Sequence, residues 1–181
     1  PRFNRATGGF PKGVLSLVGG REGTRKSFLV MQCAVHAAVN AANPMPGAYF
    51  AFEDGEEISM RRAACLLAGV NPYKHIQGRL NDDEVEIVNR CGRELAASHL
   101  NFVGGRGRRV DDLSMEIARG VLRKGWQFVF LDAFKDIYGG GDTSGDKYKS
   151  SRLFDIAQRH GIPVIVVHHV RKVVGEDEGY G

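Results

Sequence analysis

The chain has few cysteines and no long apolar run, and both absences narrow the classes of protein to which it can belong. Its three cysteines among 181 residues stand singly, with no C-x-x-C spacing. This excludes a disulfide framework and the common zinc motifs, so we interpret Cys33, Cys65 and Cys91 as small buried side chains of a reducing compartment. No apolar run approaches the roughly 20 residues of a membrane-spanning helix. We therefore expect a cytoplasmic protein with no membrane partner.

The chain also lacks a strong excess of positive or negative charge. The chain has 25 Lys and Arg against 21 Asp and Glu, a net charge of +4 that is compatible with nucleic acid but not diagnostic of it. The densest basic cluster, residues 106–109, either faces phosphates or forms a solvated loop. An apolar fraction of 43% and a charged fraction of 25% are ordinary for a globular protein with a sizeable core.

Strand-like apolar runs alternate with helix-like runs along the chain. The predicted strands cover residues 14–19, 48–52, 100–103, 128–132 and 163–168. The predicted helices cover residues 26–42, 56–68, 82–98, 111–124 and 148–160. Several strands are continuous apolar runs, which are typical of strands buried on both faces of a parallel sheet. The pattern predicts an α/β fold, with a mostly parallel sheet covered by helices on both faces.

The segment between the first strand and the first helix carries the strongest functional signal. It reads Gly20-Arg21-Glu22-Gly23-Thr24-Arg25-Lys26-Ser27, the spacing G-x-x-x-x-G-K-[ST] with an arginine in place of the second glycine. Such a loop turns backbone N–H groups towards a di- or triphosphate at a helix N-terminus. We predict that Lys26 reaches the β- and γ-phosphates and that the Ser27 hydroxyl binds Mg²⁺. The predicted nucleotide-binding residues are Gly20, Gly23, Thr24, Arg25, Lys26 and Ser27.

The arginine at position 25 leaves three alternatives open. Its side chain could swing outward and leave the loop intact, or fold back and add positive charge at the phosphates. It could also block the site and leave a degenerate loop. Glycine is the usual residue where the backbone approaches a ligand closely or takes a conformation forbidden to other residues.

Polar side chains follow three of the predicted strands, at the edge where ligands bind in open α/β sheets. The second strand ends in Glu53 and Asp54, the fourth in Asp132. Asp132 follows four apolar residues and is predicted to hold Mg²⁺, through water, together with Ser27. Glu53 is our candidate for polarising the attacking water, with Asp54 as the competing candidate.

The fifth strand ends in His168 and His169, where a polar side chain could contact the γ-phosphate. We assign His169 a catalytic role and His168 a role in nucleotide binding. Adjacent residues of a strand face opposite ways, so only one should contact the phosphate while the other packs or pairs. Arg171 and Lys172 follow and could act on a phosphate, a neighbouring subunit or nucleic acid, or stay solvated.

Taken in order, these motifs resemble the RecA-like ATPase core of hexameric DnaB-type replicative helicases, especially the branch of plasmid RepA-type helicases and related phage and bacterial ATPases. The resemblance covers residues 8–172 and rests on residues 8–13, the phosphate loop, residues 49–54, residues 130–132 and residues 166–172. It implies ATP and Mg²⁺ as ligands, Glu53 as the catalytic carboxylate and Asp132 as the metal-associated acid. It places a polar sensor at His169.

The same resemblance implies a homo-oligomeric ring, a hexamer, with ATP between subunits and single-stranded DNA in a central channel. The glycine-rich residues 138–147, with Lys135, Lys147 and Lys149 around them, are a candidate for the DNA contact. We expect residues 1–181 to form one RecA-like domain, with a mobile tail at residues 174–181. By the same comparison, the chain is a fragment that lacks the family's C-terminal strands and arginine finger.

The predicted function is thus the ATP-binding and ATP-hydrolysing core of a helicase motor. The alternative is a nucleotide-dependent regulatory or recombination-type switch with slow or no hydrolysis, which Arg25 favours. A third reading, a small-molecule kinase, would need a lid rich in arginine, and residues 106–109 are the only lid-like cluster.

Overall fold

The computed structural model describes residues 7–139 and 143–170, and of residues 143 and 144 it describes the backbone alone. Five strands form one sheet: β1 (Leu15–Gly20), β2 (Gly47–Ala51), β3 (Leu100–Gly104), β4 (Val129–Asp132) and β5 (Val164–His169). The strand order is β1-β5-β4-β2-β3, and every neighbouring pair is parallel. The predicted parallel α/β sheet is therefore confirmed.

Within the described residues, six α-helices connect the strands: α1 (Lys26–Val35), α2 (Gly55–Leu67), α3 (Pro72–Ile76), α4 (Asp82–Ala97), α5 (Val110–Lys124) and α6 (Thr143–His160). A π-helical turn (His36–Asn40) extends α1, and a 3₁₀ turn (Phe134–Asp136) follows β4. The Asn81 side chain accepts a hydrogen bond from the Glu84 backbone N–H, and the Glu84 carboxylate accepts one from the Asn81 backbone N–H, a capping box that starts α4. The structure differs from the predicted helices in two places. Helix α3 lies where the sequence predicts no helix, and α6 begins at Thr143 and not at the predicted residue 148.

The sheet separates two apolar layers because successive residues of a strand face opposite sides. One layer packs Phe50, Leu131 and Val166 against α5 and α6. The other packs Tyr49, Phe130 and Val167 against α1, α2 and α4. Helices therefore cover both faces, as predicted, and α1 lies on the face that carries Tyr49.

Strand register brings the carboxyl ends of four strands to one edge of the sheet. Gly20 at the end of β1 is in register with His169 of β5. Ala51 at the end of β2 is in register with Asp132 of β4. The predicted site residues follow or occupy these ends, so the fold places them along a common edge.

The cysteines are free, with Cys65 and Cys91 buried and Cys33 half-buried. Among the described residues, no helix combines the length and the apolar character needed to cross a membrane. Arg171, Lys172, the tail 174–181 and residues 140–142 of the glycine-rich segment lie outside the described residues.

Candidate nucleotide-binding site

The loop between β1 and α1 keeps the backbone of a glycine-rich turn at its arginine. Arg25 has φ 60° and ψ 29°, the left-handed conformation. Among the described residues, it is the only non-glycine with positive φ. This conformation suits glycine and costs other residues about 1–2 kcal/mol. Arg25 thus takes the conformation typical of glycine. Its side chain is exposed and lines a cavity next to the loop, which is described below.

The loop closes around the side chain of Lys26. The Lys26 ammonium donates to the Arg21 carbonyl oxygen at 2.5 Å and lies 3.4 Å from the Thr24 hydroxyl. Gly20 leaves the necessary space, since a Cβ there would lie 2.9 Å from Thr24 Oγ1. Lys26 is only 7% exposed, and these oxygens are neutral. A buried ammonium without a negative partner is costly, so the loop suits an anion such as a phosphate.

Asp132 connects the loop to the end of β4. The Ser27 hydroxyl donates to Asp132 Oδ1 at 3.0 Å, and the Tyr49 hydroxyl donates to Oδ2 at 2.5 Å. Burial raises the pKa of Asp132, although these hydrogen bonds and the charge of His169 oppose it. Because the Ser27 proton is used on Asp132, the Ser27 oxygen lone pairs stay available to a cation. A hydroxyl beside a carboxylate is an oxygen donor set that suits Mg²⁺.

Each candidate catalytic carboxylate lies in an ion pair. Glu53 Oε1 lies 2.6 Å from the Lys135 ammonium, and the two side chains are 46% and 50% exposed. The hydrogen bond to Glu53 raises the pKa of Lys135. Asp54 pairs with Arg62 of α2. Sequence reasoning placed Lys135 near the glycine-rich segment, and the ion pair with Glu53 was not foreseen.

The histidines at the end of β5 face opposite sides of the sheet. His169 shares its face with Val167 and α1, and its charge acts on Asp132. His168 lies on the other face, with its ring 5.6 Å from the ring of Phe134. Its buried Nδ1 makes no hydrogen bond to any described residue. The fold therefore brings His169 towards Asp132 and packs His168 against an aromatic ring.

A cavity of about 820 Å³ adjoins these groups. Ser27, Glu53 and Asp132 line one part of it, with Gly23 and Arg25 from the loop. The cavity continues between α1 and α2 to α3, where its wall includes Met31, Leu66, Tyr73 and Ile76. This volume falls in the range of small-molecule and cofactor sites.

Some of the basic residues that the sequence suggests for phosphate or DNA contact form ion pairs with nearby acidic side chains. Arg108 of the cluster 106–109 pairs with Glu116 of α5. Lys149 is buried, 2.7 Å from Asp146 Oδ1 and 4.5 Å from the centre of the Phe134 ring. Lys147 is exposed. Of the three lysines proposed for DNA contact, only Lys147 is exposed without an ion pair among those found in the described part of the chain.

The fold and the loop define the class of the protein as a RecA-like P-loop nucleotide-binding domain. Within that class, the chain belongs to the family described as AAA domain, whose sequence pattern matches residues 1–175.

Two curated relatives cover nearly all of the chain. The replicative DNA helicase DnaB of Helicobacter pylori is 26% identical over 173 residues, which are 92% of this chain and 34% of that protein. The DNA repair protein RadA of Bacillus subtilis is 25% identical over 178 residues, which are 94% of this chain and 31% of that protein. The chain thus spans about a third of the length of these relatives.

Two solved structures share the fold. A DnaB-like replicative helicase, described with its interactions with primase, matches with a TM-score of 0.78 and 16% identity over 92% of this chain and 41% of that chain. A second structure, described as an ATPase domain, matches with a TM-score of 0.77 and 17% identity over 92% of this chain and 60% of that chain. The resemblance to a DnaB-type RecA-like core is therefore confirmed in sequence and in fold.

Proposed function

We propose that the chain is the ATP-binding and ATP-hydrolysing core of a DNA helicase-type motor. The observation that carries this proposal is the contact between Ser27 of the phosphate loop and Asp132 of β4, with Lys26 and Glu53 beside it. A loop lysine, a hydroxyl and an acid are the groups that P-loop NTPases use on Mg²⁺-nucleotide.

Each loop residue has a distinct role in this proposal. The backbone N–H groups from Gly20 to Ser27 bind the phosphates, and Lys26 exchanges its bond to the Arg21 carbonyl for the β- and γ-phosphate oxygens. Ser27 and Asp132 would hold Mg²⁺ with the nucleotide, and Asp132 orients the Ser27 hydroxyl. When bound, Mg²⁺ neutralises charge on the phosphates. The cavity towards α3 has room for the rest of the nucleotide.

Glu53 is the residue that positions the attacking water in this proposal. Glu53 lines the cavity together with Ser27 and Asp132, which supports this role. Asp54 remains the competing candidate, and it pairs with Arg62 as Glu53 pairs with Lys135. His169, on the face of α1, contacts the γ-phosphate and responds to its loss. Glu53 has to exchange Lys135 for water before it acts.

The partners follow from the relatives and not from a contact in the structure. A relative named replicative DNA helicase supports DNA as a partner. The resemblance to DnaB-type helicases implies that this DNA is single-stranded and that identical subunits form a ring. In that arrangement, a neighbouring subunit completes the nucleotide site, and the exposed Lys147 belongs to the DNA contact. A hexamer is the ring that the resemblance implies.

One observation favours a second function, a nucleotide-dependent switch with slow hydrolysis. The ion pair between Glu53 and Lys135 holds the carboxylate away from the role of a base. One of the similar proteins is named a DNA repair protein, RadA, and not a helicase.

ATP hydrolysis with and without single-stranded DNA separates the two functions. We expect turnover that rises several-fold with DNA and that is lost in Lys26→Ala. Nucleotide binding with slow turnover that ignores DNA would support the switch. Without any nucleotide binding, both functions would be wrong.

A further inference from the structure

Tyr49 of β2 contacts Asp132 and has no role in the phosphate-loop chemistry described above. Its side chain is buried, with 1% of its surface exposed. Its hydroxyl donates a hydrogen bond of 2.5 Å to Asp132 Oδ2, whereas Ser27 donates to the other carboxylate oxygen, Oδ1. Tyr49 also lines the cavity that Ser27 and Glu53 line.

Strand register explains how a tyrosine of β2 reaches an acid of β4. Ala51 is the neighbour of Asp132, and Tyr49 is the neighbour of Phe130. Residues two apart on a strand share a face, so Tyr49, Ala51 and Asp132 all face α1. The tyrosine ring extends along the strand direction and packs on Phe102, with the ring centres 5.8 Å apart. Its hydroxyl is thereby delivered to the carboxylate.

The contact fixes the Asp132 carboxylate from both ends. Within the described part of the chain, each carboxylate oxygen accepts one hydrogen bond, from Ser27 or from Tyr49. With the Tyr49 bond in place, rotation about the Cβ–Cγ bond of Asp132 would break two hydrogen bonds. The orientation of Asp132 in turn sets the direction of the O–H bond of Ser27. It therefore also sets which side of the Ser27 oxygen carries the lone pairs that can bind a cation.

We propose that Tyr49 is a positioning residue that holds Asp132, and through it Ser27, in the orientation that binds Mg²⁺ with the nucleotide. This proposal rests on the proposed nucleotide site. Tyr49 touches neither the phosphates nor the metal, and it acts through the carboxylate. Hydrogen-bond partners that orient metal-binding groups typically contribute 10- to 100-fold to metal affinity.

The test is calorimetric binding of ATP to the protein with excess Mg²⁺ and, separately, with a chelator. Tyr49→Phe keeps the ring and removes only the hydroxyl. We expect metal-free ATP affinity within about twofold of wild type, because the loop and Lys26 are untouched. The gain in affinity that Mg²⁺ provides should fall about tenfold or more. A thermal unfolding curve shows that the variant is folded.

Tyr148→Phe is the matched control. The Tyr148 hydroxyl donates to the Asp111 carboxylate at 2.9 and 3.0 Å, so the same chemical change is made at an exposed pair away from the cavity. This variant should keep the full Mg²⁺ effect. In an Asp132→Asn background, Tyr49→Phe should cause no further loss, since the proposal routes its effect through the carboxylate.

The outcomes separate this proposal from the one on which it rests. If wild type and Tyr49→Phe bind ATP with the same Mg²⁺ dependence, Tyr49 is not a positioning residue, and the nucleotide site stands. A further loss in the Asp132→Asn background also overturns it. If wild type binds no ATP with or without Mg²⁺, the proposed function fails and takes the role of Tyr49 with it.

Discussion

The Ser27 hydroxyl lies 3.0 Å from Asp132 Oδ1, although 105 positions separate the two residues in the chain. Ser27 lies at the start of α1, directly after β1, and Asp132 ends β4, with β5 between the two strands. The contact therefore depends on the order of the strands and on the register that aligns their ends. It brings together the hydroxyl and the acid that the sequence assigns to Mg²⁺.

The first prediction concerns the strained backbone at Arg25. Arg25→Gly should raise the free energy of unfolding by about 0.5–1 kcal/mol, because relief of the left-handed strain exceeds the added entropy of the unfolded chain. Denaturant titration measures the change. Arg21→Gly is the control, since Arg21 has no positive φ, and it should lose stability. A loss of stability in Arg25→Gly would mean that the arginine side chain supports the loop.

The second prediction concerns the cost of the buried acid. Asp132→Asn should make the nucleotide-free protein more stable at pH 7.5, by about 1 kcal/mol, while Mg²⁺-dependent binding weakens. Burial raises the pKa of Asp132 above its usual 3.8, so the folded protein holds this proton to higher pH than the unfolded chain. Its contribution to stability therefore falls as pH rises through that interval.

The advantage of Asp132→Asn should accordingly shrink as the pH falls towards 4, where the wild-type carboxyl is increasingly protonated in both states. Urea titrations at several pH values measure this. Asp111→Asn, at a more exposed carboxylate that pairs with Arg152, should show no such gain. A variant that is less stable than wild type at pH 7.5 would contradict the prediction.

The third prediction decides between the two candidate catalytic carboxylates. Glu53→Gln should bind ATP normally and lose hydrolysis by about 100-fold or more, because positioned bases contribute 10²- to 10⁴-fold. Asp54→Asn should keep most of the activity and lose a fraction of 1 kcal/mol with its ion pair to Arg62. Single-turnover hydrolysis and ATP binding are measured on both variants. The reverse pattern would assign catalysis to Asp54.

The fourth prediction separates the neighbouring histidines. His169→Ala should lower turnover, because its half-buried side chain shares the sheet face of Val167, on which α1 packs and the proposed phosphate site lies. His168→Ala should instead lose about 1 kcal/mol of stability with its packing on Phe134, and keep ATP affinity. Should His168→Ala weaken ATP binding, the role in nucleotide binding that the sequence assigns to His168 would stand.

Local patterns are sufficient to predict most elements of this fold. Strand-like apolar runs mark all five strands, and α4 begins at the predicted Asn81 cap. Helix α3 escapes prediction because its five residues are too few to show a helical period. Residues 143–147 belong to the glycine-rich segment that precedes the predicted helix 148–160, and the structure makes them the start of α6.

The site is predictable where a motif is contiguous and less so where contacts cross the sheet. The loop residues and Asp132 follow from spacing and from the end of a strand. The hydrogen bond from Tyr49 to Asp132 needs the register between β2 and β4, which no local pattern contains. The pairing of Glu53 with Lys135 likewise joins the ends of separate strands, and in the sequence Lys135 is only another exposed cation.

The central claim is that the loop around Lys26 binds Mg²⁺-ATP with an arginine at its second glycine position. Isothermal titration of the wild-type protein and of Lys26→Ala with Mg²⁺-ATP tests it most directly. The account predicts saturable binding to wild type that Lys26→Ala weakens at least 100-fold, with both proteins equally folded by circular dichroism. Equal affinity of the two proteins, or no binding to wild type, would contradict it.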